Sequence, residues 1–395
     1  MKQNIPQIGF EPSEFAIRTQ RAQHLMRKLN VDGLLLTTEP EVRYFSGFHT
    51  AFWLSPTRPW FLVVPREGKP IAVIPEIGGA RMSETWLDDI VMWSAPRPND
   101  EGITELTATI KRLKKISGVI GVPMGSETHI RMPFSDFKKL QENIRGIELV
   151  DASPLIQELR KIKSEAEIKL MQSAAKITEK GMKTAYESIN PGVRQCDVVG
   201  EIQKTLFKGT PEFGGDYASI ATLLPTGKGT SASHLTATED KFVTGEATII
   251  EISGEHKRYH CPMARTVLLG EKNQKKIDIM KATNEALDSG IAATKSGNTA
   301  DDVAQNFWKV LDKHGIKKDS RTGYSIGIGY PPDWGEHTLN IYKGDMTVLE
   351  PNVCFHMIAV MQFGDWGVEA SEAIRVTDQG AELFCNMSKE LHVKS

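Results

Sequence analysis

One acid sits in the middle of an apolar strand pattern. Ala247 to Leu269 reads A-T-I-I-E-I-S-G-E-H-K-R-Y-H-C-P-M-A-R-T-V-L-L. By strand alternation Thr248, Ile250 and Ile252 face one way, and Ile249, Glu251 and Ser253 the other. A carboxylate flanked by isoleucines is costly to bury without a partner. Desolvation there raises its pKa and suits it to acid–base work near neutral pH. On periodicity alone the commoner outcome is a strand glutamate facing solvent or paired with an arginine. His234, in S-A-S-H-L-T, follows a Gly-rich run, and a lone loop histidine is more often a surface residue than a catalyst. Cys261, in the same stretch as Glu251, could be a reactive thiol, although small-residue packing explains most cysteines.

A second group lies near the N-terminus. From Tyr44 the chain reads Y-F-S-G-F-H-T-A-F-W-L-S-P-T-R-P-W-F-L-V-V-P. Arg58 could pair bidentately with a carboxylate or simply face solvent. Trp53, with Phe52 and Trp60, could receive a flat cation. Ordinary core or dimer packing is the more frequent use of such rings. Gly214-Gly215-Asp216-Tyr217 fits neither dinucleotide nor phosphate-loop spacing and reads as a tight loop lining a pocket.

The elements that must position these groups follow from pattern. Helical spacing runs from Glu14 to Leu29, with short strands at Val31–Leu36, Trp60–Val64, Lys69–Ile74, Val119–Val122 and Ile147–Val150. This alternation predicts a small α/β domain over residues 1–157. Residues 158–395 read as an α+β domain of long helices, turns and mixed strands. Its first helix is expected over Leu159–Thr178, with Ser164 and Glu167 forming an S-x-x-E capping box.

The chain has 395 residues and a formal net charge of −2, with Lys and Arg dispersed. That argues against nucleic acid or an anionic membrane as partner. No stretch has the length of a signal peptide's apolar core or a membrane span. Four cysteines without C-x-x-C spacing suggest reduced thiols in a cytoplasmic protein.

The Glu251 stretch and the R-K-I-K-S-E-A-E-I linker resemble the pita-bread superfamily of methionine aminopeptidases and prolidases. The runs E-F-G-G-D-Y, L-L-P-T-G, S-A-S-H-L-T, R-Y-H-C-P-M-A-R-T-V-L-L-G and D-S-R-T-G-Y-S-I-G-I-G-Y-P-P-D-W-G-E are similar to its ectoine hydrolase/creatinase-like branch. The resemblance implies a C-terminal pita-bread domain behind a smaller creatinase/prolidase-type α/β domain, and a homodimer. It also marks five metal positions. Glu251 and Pro262 stand at the first two, Tyr324 at the ligand histidine, Ile358 at the next glutamate, and Ser371 near the last, flanked by Glu369 and Glu372. Four of the five lose their usual donor, which implies a catalyst without metal or other cofactor.

On this resemblance Glu251 is the catalytic nucleophile or base, and His234 is the residue that shuttles a proton. Arg58, Trp53, Tyr324, Tyr330, Asp333, Glu336, His356, Glu369 and Glu372 are the expected substrate-binding residues. The implied reaction opens the cyclic amidine of ectoine, or of a close amidine or guanidine acid, to N-acetyl-2,4-diaminobutyrate. A metal-dependent Xaa-Pro peptidase, a dimethylsulfoniopropionate lyase and a non-catalytic binding protein for such a solute are the alternatives.

Overall fold

Short apolar runs in the first third of the chain close into one sheet. In the computed structural model, which describes residues 6–113 and 118–395, the chain forms two compact units, Met1–Arg160 and Lys161–Ser395. The first unit contains β1 (Gly33–Leu36), β2 (Phe61–Pro65), β3 (Ile71–Pro75), β4 (Asp89–Trp93), β5 (Gly118–Val122) and β6 (Ile147–Asp151). Their order is β4-β3-β2-β1-β5-β6, with β1–β2 and β2–β3 antiparallel and the other pairs parallel. Alternate residues of the central strands enter two different cores. Leu34, Leu36, Leu62 and Val64 join one, and Leu35, Phe61 and Val63 the other. Burial on both faces explains why these strands read as continuous apolar runs.

The second unit adds β7 (Ala247–His256), β8 (Tyr259–Leu269), β9 (Gly323–Tyr330), β10 (Asp333–Asn340), β11 (Cys354–Phe363), β12 (Trp366–Thr377), β13 (Gly380–Leu383) and β14 (His392–Lys394). Six strands run in the order β13-β12-β11-β9-β8-β14, while β10 pairs with β9 and β7 with β8. The helices Gln274–Ala293 and Ala300–Lys313 bury an apolar face against this sheet.

The helix expected over Leu159–Thr178 is two helices, Ser153–Lys161 and Glu165–Ser188. The reason is the capping box itself. Ser164 is extended, its side chain accepts from the Glu167 N–H, and the Glu167 carboxylate accepts from the Ser164 N–H at 2.8 Å. A residue in that conformation ends any helix that reaches it.

The Glu165–Ser188 helix lies directly on β7. A side chain on Gly254 would meet Ala174 O at 2.5 Å and Thr178 N at 2.6 Å. The Thr178 hydroxyl donates to Cys261 O at 2.6 Å and accepts from Gly254 N at 2.7 Å. One threonine thus ties both strands of the Glu251 hairpin to the helix.

Candidate active site

β7 places Glu251 opposite Ala264 on β8, and its backbone also pairs both ways with Leu223. The Glu251 carboxylate faces a cavity of about 220 Å³. β12 contributes Glu369, β9 contributes Tyr324, and β11 contributes Ile358, Val360 and Gln362. Loops add Leu223, Pro225, His234, Lys318 and Arg321. Of the expected catalytic and substrate-binding residues, Glu251, His234, Tyr324 and Glu369 meet here.

Glu251 and Glu369 are only 9 % and 6 % exposed. Burial raises the pKa of Glu251 well above the carboxylate range, and the neighbouring Glu369 charge raises it further. Burial raises Glu369 as well, against the opposing pull of Lys318. Two carboxylates sharing one desolvated site do not both ionise easily, so the pair stands ready to hold a proton or a cation. Burial brings the Lys318 amine down to about 8, with Glu369 opposing the fall. Lys318 donates to Ser320 Oγ at 2.6 Å, and Arg321 donates to Asn340 Oδ1 at 2.7 Å while lying 4.9 Å from the Tyr324 ring centroid. The cavity therefore offers anionic and cationic groups together. His234 lies on its lining, exposed, with a positive φ of 63°.

Behind Tyr324 runs a buried chain of polar groups. Trp334 Nε1–H donates to the Tyr324 oxygen at 2.6 Å. His356 Nδ1 lies 3.2 Å from the same oxygen, and its Nε2 lies 2.6 Å from Ser371 Oγ. Ser371 Oγ also accepts from the Ala264 N–H at 2.6 Å. Burial, aided by the neighbouring His260 and Arg265, pushes His356 down to about 3, so its ring is neutral.

The other expected binding residues do not line the cavity. Glu336 forms a buried ion pair with Lys163 at 2.6 Å and accepts from Ile328 N at 2.9 Å. Glu372 pairs with buried Arg265 at 2.6 Å. Asp333 accepts from His337 at 2.9 Å and from Gly335 N at 2.8 Å. Tyr330 has the Arg258 guanidinium 4.7 Å from its ring centroid, with Tyr217 also 4.0 Å from that guanidinium. His356 acts behind Tyr324 rather than on the lining. Pro331 and Pro332 form a tight turn between β9 and β10, which carries Glu336 into the sheet. The Gly214–Tyr217 loop packs on the hairpin tip, where Asp216 N donates to Glu255 O at 3.0 Å, and is not part of the lining.

Trp53 and Arg58 belong to the first unit. Trp53 is buried against Phe48 and Trp60, so it is a core residue there. Arg58 adopts a positive φ of 55°, and its backbone N–H donates to Glu101 at 3.0 Å. Arg131 organises this loop by donating to the carbonyls of Trp53, Ser55, Thr57 and Arg58. Nothing in the pattern around Arg131 distinguishes it from a surface arginine. Lys318, also missed from the sequence, sits in the charged run K-K-D-S-R, which reads as solvated surface.

Cys261 is buried beside Cys385, with the sulfurs 3.8 Å apart. Burial and that neighbour push its thiol pKa well up, which opposes a nucleophilic role.

The donor set does not fit a two-metal centre. Tyr324 and Ile358 are walls of the cavity, Ser371 is bonded to His356 and Ala264, and Pro262 has no donor. Among the described residues no three or more His, Cys, Asp or Glu side chains converge as a metal site. No helix among them is long and apolar enough to cross a membrane.

Residues 169–378 match the model of metallopeptidase family M24, and residues 18–162 match the creatinase/prolidase N-terminal domain. The chain is 37 % identical to an ectoine hydrolase of Halomonas elongata, over 98 % of this chain and 99 % of that one. It is 22 % identical to an Xaa-Pro dipeptidase of Pyrococcus horikoshii, over 95 % and 98 % of the two chains. A solved prolidase of Thermococcus sibiricus superposes with a TM-score of 0.84 at 22 % identity, covering 96 % of this chain and 99 % of that one. The two-domain pita-bread architecture expected from the sequence is thereby established. The chain belongs to metallopeptidase family M24, on its ectoine hydrolase/creatinase-like side, with a creatinase/prolidase N-terminal domain.

Proposed function

We propose that this protein hydrolyses a non-peptide C–N bond in ectoine, or in a close cyclic amidine or guanidine acid, without a metal ion. The observation that supports this best is the Glu251–Glu369 pair, desolvated in a small cavity that also presents Lys318 and Arg321. A zwitterion that pairs an amidinium with a carboxylate matches that arrangement. The amidinium lies against the acids through charge-assisted hydrogen bonds, and its positive charge favours their ionised form. The carboxylate lies against Lys318 and Arg321.

Protonation makes the amidine carbon electrophilic. Glu251 either attacks it directly or removes a proton from a water that does so. A tetrahedral adduct forms, one ring nitrogen takes up a proton, and its C–N bond breaks. One water is consumed, and ectoine yields N-acetyl-2,4-diaminobutyrate. His234 passes the proton to the leaving nitrogen.

The test is direct. The protein is incubated with ectoine, hydroxyectoine, creatine and a proline dipeptide, and products are followed by NMR. Ring opening of ectoine that Glu251→Ala abolishes in a folded protein supports the reading. Cleavage of the dipeptide alone, with added divalent metal, replaces it with an Xaa-Pro peptidase. Binding without product leaves a solute-binding protein.

A further inference from the structure

Tyr324 stands at one position, and Ser371 near another, where the sequence resemblance expects metal ligands. Here they are two ends of one hydrogen-bond chain, and counting hydrogens gives that chain a direction. A phenol has one hydrogen to donate and two lone pairs. The Tyr324 oxygen accepts from Trp334 Nε1–H, which can only donate. Ser371 Oγ accepts from the Ala264 N–H, and its only other partner among the described residues is His356 Nε2. Suppose His356 carried its proton on Nε2. The imidazole would then donate to Ser371, and the serine hydroxyl hydrogen would be buried with no acceptor among the described residues. If the proton is on Nδ1, each group is matched. Ser371 donates to Nε2, and Nδ1–H donates to the Tyr324 oxygen. Both lone pairs of Tyr324 are then filled, and its own hydrogen must point elsewhere. Tyr324 lines the cavity that holds Glu251.

We infer that Ser371, His356 and Trp334 are positioning residues that fix Tyr324 as a hydrogen-bond donor into the cavity, aimed at the tetrahedral adduct rather than at the bound substrate. This rests on the amidine reading above. An amidinium presents N–H groups on both nitrogens, so a donor-only phenol gains nothing from it in the ground state. Addition at the carbon creates a nitrogen lone pair and a new C–O group, and both accept hydrogen bonds. An interaction available only to the adduct accelerates the reaction without tightening substrate binding. No proton leaves Tyr324 in this role. It stays a neutral phenol, which agrees with the strong upward push that burial gives its pKa.

Two measurements test it. In protein with ¹⁵N-labelled histidine, His356 is identified by its loss in His356→Gln, and long-range ¹H–¹⁵N NMR reads its tautomer without any substrate. A neutral ring protonated on Nδ1 from pH 5 to 9 is expected, and a ring protonated on Nε2 overturns the inference. In kinetics with ectoine, Tyr324→Phe should lower kcat about 100-fold while KM changes less than about threefold. Ser371→Ala should lower kcat about tenfold and shift the His356 tautomer, with the thermal melt confirming a folded protein. If Tyr324→Phe instead raises KM at constant kcat, Tyr324 contacts the ground state and the inference fails. If the wild-type protein does not open ectoine, the amidine reading fails, and the aim at an adduct fails with it. The tautomer then still decides the direction of the chain.

Discussion

Glu251, Glu336, Glu369 and Glu372 are all buried on strands of the C-terminal unit, yet they divide into two kinds. Glu336 and Glu372 each meet a buried cation at 2.6 Å, Lys163 and Arg265 respectively. Glu251 and Glu369 line one cavity and feel each other's charge, and their carboxylates have no ion pair within 4 Å among the described residues. Paired burial makes a charge part of the architecture, whereas like-charge burial leaves a site whose energy improves when a cation or proton arrives. Under the proposed function, the difference separates residues that hold the sheet from residues that act on a substrate.

The strongest way to break that division is to neutralise one member of each kind. Glu251→Gln should reduce kcat on ectoine by about 10³-fold or more, measured by product NMR. The same variant should melt at a higher temperature at pH 8. The folded pKa of Glu251 lies above its unfolded value, so ionising it costs stability as pH rises past the unfolded pKa. That gain should vanish below about pH 4, where folded and unfolded states are both protonated. Lys163→Met should do the opposite. It strands Glu336 without its cation and should cost about 3–5 kcal/mol in denaturant unfolding, with turnover per folded molecule unchanged.

Smaller effects sharpen the picture of the cavity. Lys318→Met should raise KM for ectoine about tenfold, the size of one lost charge-assisted contact. In the wild type, KM should climb as pH passes about 8, where the Lys318 amine loses its proton, and this climb should be absent in the variant. Glu369→Gln removes the like charge that raises Glu251. The acid limb of kcat/KM should therefore move to lower pH, because Glu251 then ionises more easily.

The two kinds of glutamate were not equally visible in the sequence. Glu251 stood out through the resemblance, which set it at a metal position of the family; period-two alternation alone favoured an acid facing solvent or paired with an arginine. Glu369 and Glu372 were candidates of equal standing, since both flank Ser371. Parity along β12 separates them: Glu369 and Ser371 share the face toward the cavity and His356, and Glu372 turns to Arg265. Glu336 was expected to bind substrate. A two-residue turn instead carried it into a strand and onto Lys163, a contact that local pattern does not encode. Lys318 was hidden because its charged neighbours read as solvated, and only the fold brings it beside Glu369. The hydrogen-bond chain through His356 depends on the register of β9, β11 and β12, which pairs His356 with Tyr324 and Ile358 with Ser371. Such register is a property of the assembled sheet.

In the proposed chemistry a carboxylate pair replaces a metal centre. The measurement that tests this most directly is ectoine turnover by protein stripped with a chelator, its residual metal content determined by elemental analysis. Full activity at far less than one metal ion per chain is the predicted result. Activity that disappears on stripping and returns with a stoichiometric divalent ion would contradict it.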